Sequence, residues 1–368
     1  MKKAASYGGH ERAIRLWLYA VAALVLAMVL VGGATRLTES GLSITEWRPV
    51  MGVLPPLSDS EWQQALAKYQ AIPQYRALNA GMSFADFKVI YWWEWTHRLL
   101  GRLTGAAFLL PFLWFLWRGW IPRELRPRLW LIFALGALQG AVGWWMVASG
   151  LSERIEVSQY RLATHLILAS VIYVALLWAA TGRAIPPATP VRAVTRVGAL
   201  FLLVLVLAQI YLGALVAGLR AGYAYNTWPL IDGVLLPKSG DLFFQTPLWR
   251  NFFENILTVQ FDHRMVAYLV LIGAALHAFD VVRNEGRGRA GALALLAASA
   301  VQIVLGIATL LLAVPLPLAL LHQAGAMLVL TVATLHTANV TARPGYATAG
   351  WQDAGELPTR FAQQKFNR

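Results

Sequence analysis

The sequence predicts an all-α integral membrane protein whose eight transmembrane helices form two tandem, pseudo-symmetric four-helix bundles, with both termini in the cytoplasm. Three observations carry this expectation: an apolar composition, eight windows of membrane-spanning length, and an internal repeat. Of 368 residues, 58% are hydrophobic and 13% charged, with a mean hydropathy of +0.54. Soluble domains carry a charged share nearer a quarter. The complete lack of cysteine excludes disulfide frameworks, thiolate metal sites, iron–sulfur clusters, cysteine nucleophiles and covalent CxxCH haem attachment.

A hydrocarbon core about 30 Å thick needs roughly 20 mostly apolar residues per helix. Windows near 14–34, 88–117, 127–149, 159–181, 194–218, 256–282, 289–313 and 315–339 meet that need. The first runs from Gly32, Gly33 and Ala34 straight into Thr35 and Arg36, nothing like a cleavage site, so it reads as a retained helix. Connections after spans 2, 4 and 6 are short and basic, with Arg118, Arg123, Arg126 and Arg128, then Arg183, Arg192 and Arg196, then Arg283, Arg287 and Arg289. Positive charge marks the cytoplasmic side, where Lys2, Lys3, Arg12, Arg15 and the tail cations Arg343, Arg360, Lys365 and Arg368 also fall. These are 18 of the 31 lysines and arginines, so topology rather than nucleic acid accounts for the net charge of +13. Two long connections, near 35–87 and 219–255, then lie outside, and Ser58 to Ala71 suits a short interfacial helix.

The chain repeats itself. TEWRPVMGVLPP follows span 1 and NTWPLIDGVLLP follows span 5, each placing a tryptophan (Trp47, Trp228) before Gly-Val-Leu. Span 2 carries Glu94-Trp95-Thr96-His97-Arg98 where span 6 carries Gln260-Phe261-Asp262-His263-Arg264. Span 3 has Gln139 and Gly143, span 7 has Gln302 and Gly306, and spans 4 and 8 hold His165 and His322. Shared membrane composition does not reproduce spaced matches in register. The expected division is therefore 1–185 for the first half, 186–345 for the second, and a cytoplasmic tail at 346–368, with parallel repeats.

Ionisable groups inside a span need a partner, a cavity or a function. At about 1.5 Å per residue, His97, His165, His263 and His322 all lie roughly 6–14 Å below the outer surface. Facing helices can bring His97 to His165 and His263 to His322. Two neutral imidazoles without thiolates or a carboxylate cluster suit an iron porphyrin; zinc fits less well, and plain interhelical hydrogen bonding is the bland alternative. Glu94, His97, Arg98 and Arg102 share one face of span 2. Arg98 and Arg102 could hold haem propionates, or Arg98 and Glu94 simply neutralise each other. Only the first half keeps a carboxylate beside its histidine, Gln260 replacing Glu94 in the second, so a reaction is expected in the first half and a permanent cofactor in the second. His277 and His336, each 14 residues beyond a candidate ligand, offer the spacing of stacked b-type haems and the main rival reading. His10 reads as a tail residue and Asp262 as a cap or rim residue.

The Glu-x-x-His-Arg at Glu94, His97 and Arg98, the second His-Arg at His263 and Arg264, the histidines of spans 4 and 8 and the tandem halves together resemble the haem A synthase family. The segment Thr38 to Ile44 is similar to the branch found in proteobacteria and mitochondria. The resemblance implies a multi-pass enzyme of the bacterial inner membrane that oxidises a ring methyl of haem O to a formyl group by successive hydroxylations, giving haem A for cytochrome oxidase. It implies that His263 and His322 ligate a haem b cofactor and that His97 and His165 flank the substrate haem with Glu94 essential beside it. From the residues themselves, Arg98 and Arg264 are expected as haem-binding cations, with the sites toward the periplasmic side. Implied partners are a haem O synthase, cytochrome oxidase assembly factors and an electron donor that the sequence does not name. Some bacterial relatives carry a cysteine pair in outer loops; this chain has none. A bis-His cytochrome b or quinone oxidoreductase, and a haem transporter, are the competing functions.

Overall fold

A computed structural model describes residues 2–48, 51–152, 154–181 and 190–342. The expected half boundary at 185 and 186 and the tail at 346–368 lie outside the described residues. Eight long helices account for all eight expected spans: α1 (Lys2–Leu37), α2 (Phe84–Trp117), α3 (Arg126–Ala148), α4 (Gln159–Thr181), α5 (Ala193–Gly218), α6 (Ile256–Asn284), α7 (Arg289–Leu311) and α8 (Leu316–Thr341). Among the described residues there is no β-strand. In hydrocarbon every backbone N–H and C=O must be satisfied within the segment, so apolar runs of this length fold as helices.

The ends follow local chemistry. The second helix starts earlier than its apolar window because Ser83 caps it, its Oγ accepting from the Asp86 N–H at 3.1 Å. The seventh stops at Leu311 rather than 313, because Ala313 and Val314 turn to φ of +56° and +59° ahead of Pro315. His10, expected in a tail, lies in a helical turn of α1 and stacks on Trp120 at 4.1 Å between ring centroids.

Packing closes two four-membered rings. In the first, α1 packs on α2 and α4, and α3 packs on α4; in the second, α5 packs on α6 and α8, and α7 on both α6 and α8. The rings join where α1 and α4 meet α5 and α8, and the largest apolar core fills that seam, with Leu18, Leu176, Leu202 and Leu330 fully buried. One joint is thin: α2 and α3 meet over a short stretch, whereas α6 and α7 pack along much of their length. Gly105 of α2 and Gly136 and Gly140 of α3 have no heavy atom within 4 Å of where a Cβ would stand. Large side chains such as Leu110, Leu131, Leu276 and Val304 remain exposed on the outer helices, as a lipid-facing surface requires.

Both long connections sit at one end of the bundle. The first contains the expected short helix, Asp59–Gln70, started by a reciprocal capping pair in which Ser58 Oγ accepts from Glu61 N and Glu61 Oε2 accepts from Ser58 N. Trp62 and Tyr69 of that helix, with Leu42 and Ile72, pack on Phe87, Ile90 and Tyr91 of α2. This connection is therefore a folded cap over the first ring. At the same end Arg36 pairs with Glu156 at 2.6 Å, and Arg220 pairs with both Glu39 and Glu156. Three separate segments are tied by these partly buried charges, which water and salt screen less than surface pairs.

Candidate functional site

Each of the four candidate histidines lies against a glycine of the helix before it. A Cβ on Gly32 would stand 3.0 Å from His97 Nε2. Cβ atoms on Gly143, Gly213 and Gly306 would stand 2.9, 3.1 and 2.8 Å from Cε1 of His165, His263 and His322. Any larger residue would push these rings aside, so glycine is needed here for close approach and not for backbone freedom. Every one of these glycines is five residues from the last residue of its helix, α1, α3, α5 or α7. At 1.5 Å per residue that puts all four rings about 7.5 Å inside the end that carries the long connections. His97 and His165 are within electrostatic reach of each other, as are His263 and His322. All four rings are half-buried.

Three of the four are also gripped by a glutamine four residues before the glycine. Gln139, Gln209 and Gln302 donate from Nε2 to the main-chain carbonyls of His165, His263 and His322 at 3.0, 2.9 and 2.8 Å. The same amide nitrogens reach the rings: 3.0 Å to Nδ1 of His263 and of His322, and 3.4 Å to Nε2 of His165. Residues four apart lie on one helix face, so Gln-x-x-x-Gly presents a donor and a gap together. Sequence comparison of the halves had matched the motif in α3 and α7 but not Gln209 and Gly213 of α5, although the same spacing is written there.

The acidic member of the constellation is fully engaged. Glu94 is buried; its Oε2 accepts from Ser43 Oγ and from the Ile44 N–H, both at 2.7 Å. Its Oε1 accepts from Arg98 at 2.6 and 3.1 Å. Arg98 also donates to the carbonyls of Ile44 and Glu46 at 2.6 and 2.9 Å. Arg98 thus pairs with Glu94 and with the overlying connection. In the second ring, Gln260 and Arg264 both donate to the Tyr225 carbonyl, at 3.1 and 3.0 Å, and Arg264 Nε is buried without a partner. The carboxylate thus accepts from its overlying connection, and the amide donates to its own.

The deeper histidines behave differently. His277 and His336 are 7% and 3% exposed and share a hydrogen bond between their Nε2 atoms at 2.8 Å. The two rings thus satisfy each other as a buried interhelical pair, the plain alternative to ligating an iron. His277→Ala is accordingly expected to leave bound haem per protein unchanged, measured by pigment absorbance after purification; loss of haem would restore the stacked-haem alternative.

The family model for "Cytochrome oxidase assembly protein" matches residues 15–334. The chain belongs to this family. It is 61% identical to a protein of Bradyrhizobium diazoefficiens named Heme A synthase, over 92% of this chain and 94% of that one. Proteins of the same name from Rhodopseudomonas palustris strains HaA2 and BisA53 are 61% and 58% identical, covering 90% and 92% of this chain.

For a member of the cytochrome oxidase assembly protein family, the residues present fit a haem. Among the described residues no three histidines or carboxylates converge as a non-haem metal would ask. What does recur is an imidazole pair, a glycine cradle at each ring, and in the first ring a His165 Nδ1 buried without a partner. His97 and His165 would hold one porphyrin iron, and His263 and His322 the other.

Proposed function

We propose that this multi-pass protein of a bacterial plasma membrane is a haem A synthase, oxidising a ring methyl of haem O to a formyl group by successive hydroxylations. The reading rests on its relatives and on one observation in particular: of two similar histidine pairs, only the first has a carboxylate, Glu94, three residues from its ligand. The first ring is then the reaction site, with His97 and His165 at the substrate iron, and the second ring keeps haem b between His263 and His322. Bound haem supplies the redox chemistry. The chain supplies position and proton handling. Ser43, Ile44 and Arg98 hold the Glu94 carboxylate at one fixed place beside His97, so a proton leaving the methyl under oxidation is taken at a Glu94 oxygen. The folded cap around Trp62 and Tyr69 excludes water from above that site. Arg264, with Nε unpartnered, is the cation positioned for a propionate in the second ring.

The charge asymmetry of the connections supports the site end as periplasmic. The parallel pattern of glycine-backed histidines supports a tandem duplication of four-helix halves. Extraction and identification of the pigments of the purified protein tests the function. Haem b together with haem O, a hydroxylated intermediate or haem A is expected; haem b alone would overturn the synthase in favour of an electron carrier.

A further inference from the structure

Beside their contacts to His165, His263 and His322, the side-chain oxygens of Gln139, Gln209 and Gln302 share one further property. All three Oε1 atoms are buried and have no hydrogen-bond partner. Buried amide oxygens are ordinarily satisfied. Three unpartnered amide oxygens at three equivalent places mark one recurring arrangement.

We propose that these glutamines are the positioning residues of three of the four haem-ligating imidazoles, and that His97, which has no such partner, is the ligand left free to turn. The inference deepens the proposed function and rests on its reading of the four histidines as iron ligands. A neutral imidazole that gives Nε2 to iron carries its proton on Nδ1, and that N–H needs an acceptor to fix the ring and raise its basicity. For His263 and His322 the amide 3.0 Å from Nδ1 is that of Gln209 and Gln302. As placed here the amide donates with Nε2, and Oε1 has no partner. A half-turn of the amide exchanges the two atoms and makes Oε1 the acceptor. The turn has to carry the amide off the histidine carbonyl, because Oε1 in the place of Nε2 would oppose that oxygen at 2.8–3.0 Å; the carbonyl keeps its own helical hydrogen bond. His165 has the same arrangement with its ring reversed: Nε2 lies toward Gln139 and Nδ1 is the orphan.

His97 breaks the pattern twice. Four residues before Gly32 stands Met28, whose thioether is no match for an amide as acceptor and whose Cε lies 3.4 Å from a Cβ position on Gly101. The His97 ring is also turned, presenting Nε2 to its glycine where the other three present Cε1. An iron that must accept and release its substrate role needs one exchangeable axial position. The chain places that position on the His97 side.

The test uses the full-length purified protein with Gln209→Leu, Gln302→Leu, Gln209→Glu and Gln302→Glu. Two quantities are read: haem retained per protein during washing, and the midpoint potential of the second-ring haem. Leucine removes the acceptor, so retention is expected to weaken by about tenfold or more and the potential to rise. Glutamate strengthens the acceptor, so retention is expected to hold and the potential to fall. Met28→Gln is expected to slow loss of first-ring haem. Equal shifts in leucine and glutamate variants, or none, would reduce the glutamines to ties between helices and overturn the inference, while the function stands. Unchanged first-ring haem loss in Met28→Gln would overturn the assignment of His97. An unaltered protein without a histidine-ligated haem signal removes the functional reading, and this inference with it.

Discussion

Replacing Glu94 by glutamine is expected to leave bound haem b at its normal amount and spectrum while lowering conversion of haem O to haem A by about 100- to 10,000-fold, the usual worth of a positioned acid or base. The substitution copies the second ring, where Gln260 already occupies the matching place. A glutamine keeps one acceptor oxygen, so it can satisfy either Arg98 or the Ser43 and Ile44 donors, but its NH2 then opposes the other set. That mismatch costs about 1–3 kcal/mol. Detergent-solubilised thermal unfolding should therefore be followed beside turnover. A variant that still folds and binds haem but makes no haem A supports proton handling at Glu94. Undiminished haem A formation would sink it.

Removal of either second-ring imidazole is expected to empty that ring. With His322→Ala or His263→Ala the iron loses one of two axial bonds, and the apolar porphyrin face alone holds it weakly. Purified protein should lose the six-coordinate haem b spectrum, and turnover should fall with it. His97→Ala should retain that spectrum, because its ring belongs to the other pair. If all three variants kept the same pigment, the assignment of pairs to rings would be wrong. The glycine cradles sharpen the test: Gly306→Ala places a methyl 2.8 Å from His322 Cε1 and should disturb the spectrum without deleting a ligand.

The membrane helices were legible in the sequence because hydrocarbon imposes a length and a polarity that composition alone reports. Their starts and stops were less so: Ser83 and the turn at Ala313 and Val314 act through local hydrogen bonds and backbone angles that an apolar window does not register. The histidine layer was legible because a charge-capable ring in a span stands out, and helical rise gives its depth. Placing Glu94 and Arg98 on one face was equally a matter of geometry along a single helix. Their partners were not. Ser43, Ile44 and Glu46 come from a connection about 50 residues away in the chain, and no periodicity links them to α2. The glutamines fell between these cases. Gln139 and Gln302 are legible as a repeat match, but their meaning lies in contact with the next helix, and Gln209 is a single polar residue in an apolar run.

The thin joint between α2 and α3 bears on how a bulky pigment gets in and out of a lipid-bounded protein. Regions with few buried contacts separate at the lowest free energy, and in the first ring that region is the seam between α2 and α3. On the proposed reading, a flat, greasy substrate would pass sideways from the bilayer at this joint without crossing water, while the closer packing of α6 and α7 would help retain the haem of the second ring. How tightly two helices touch would then work beside the ligands themselves in separating a customer from a fixture.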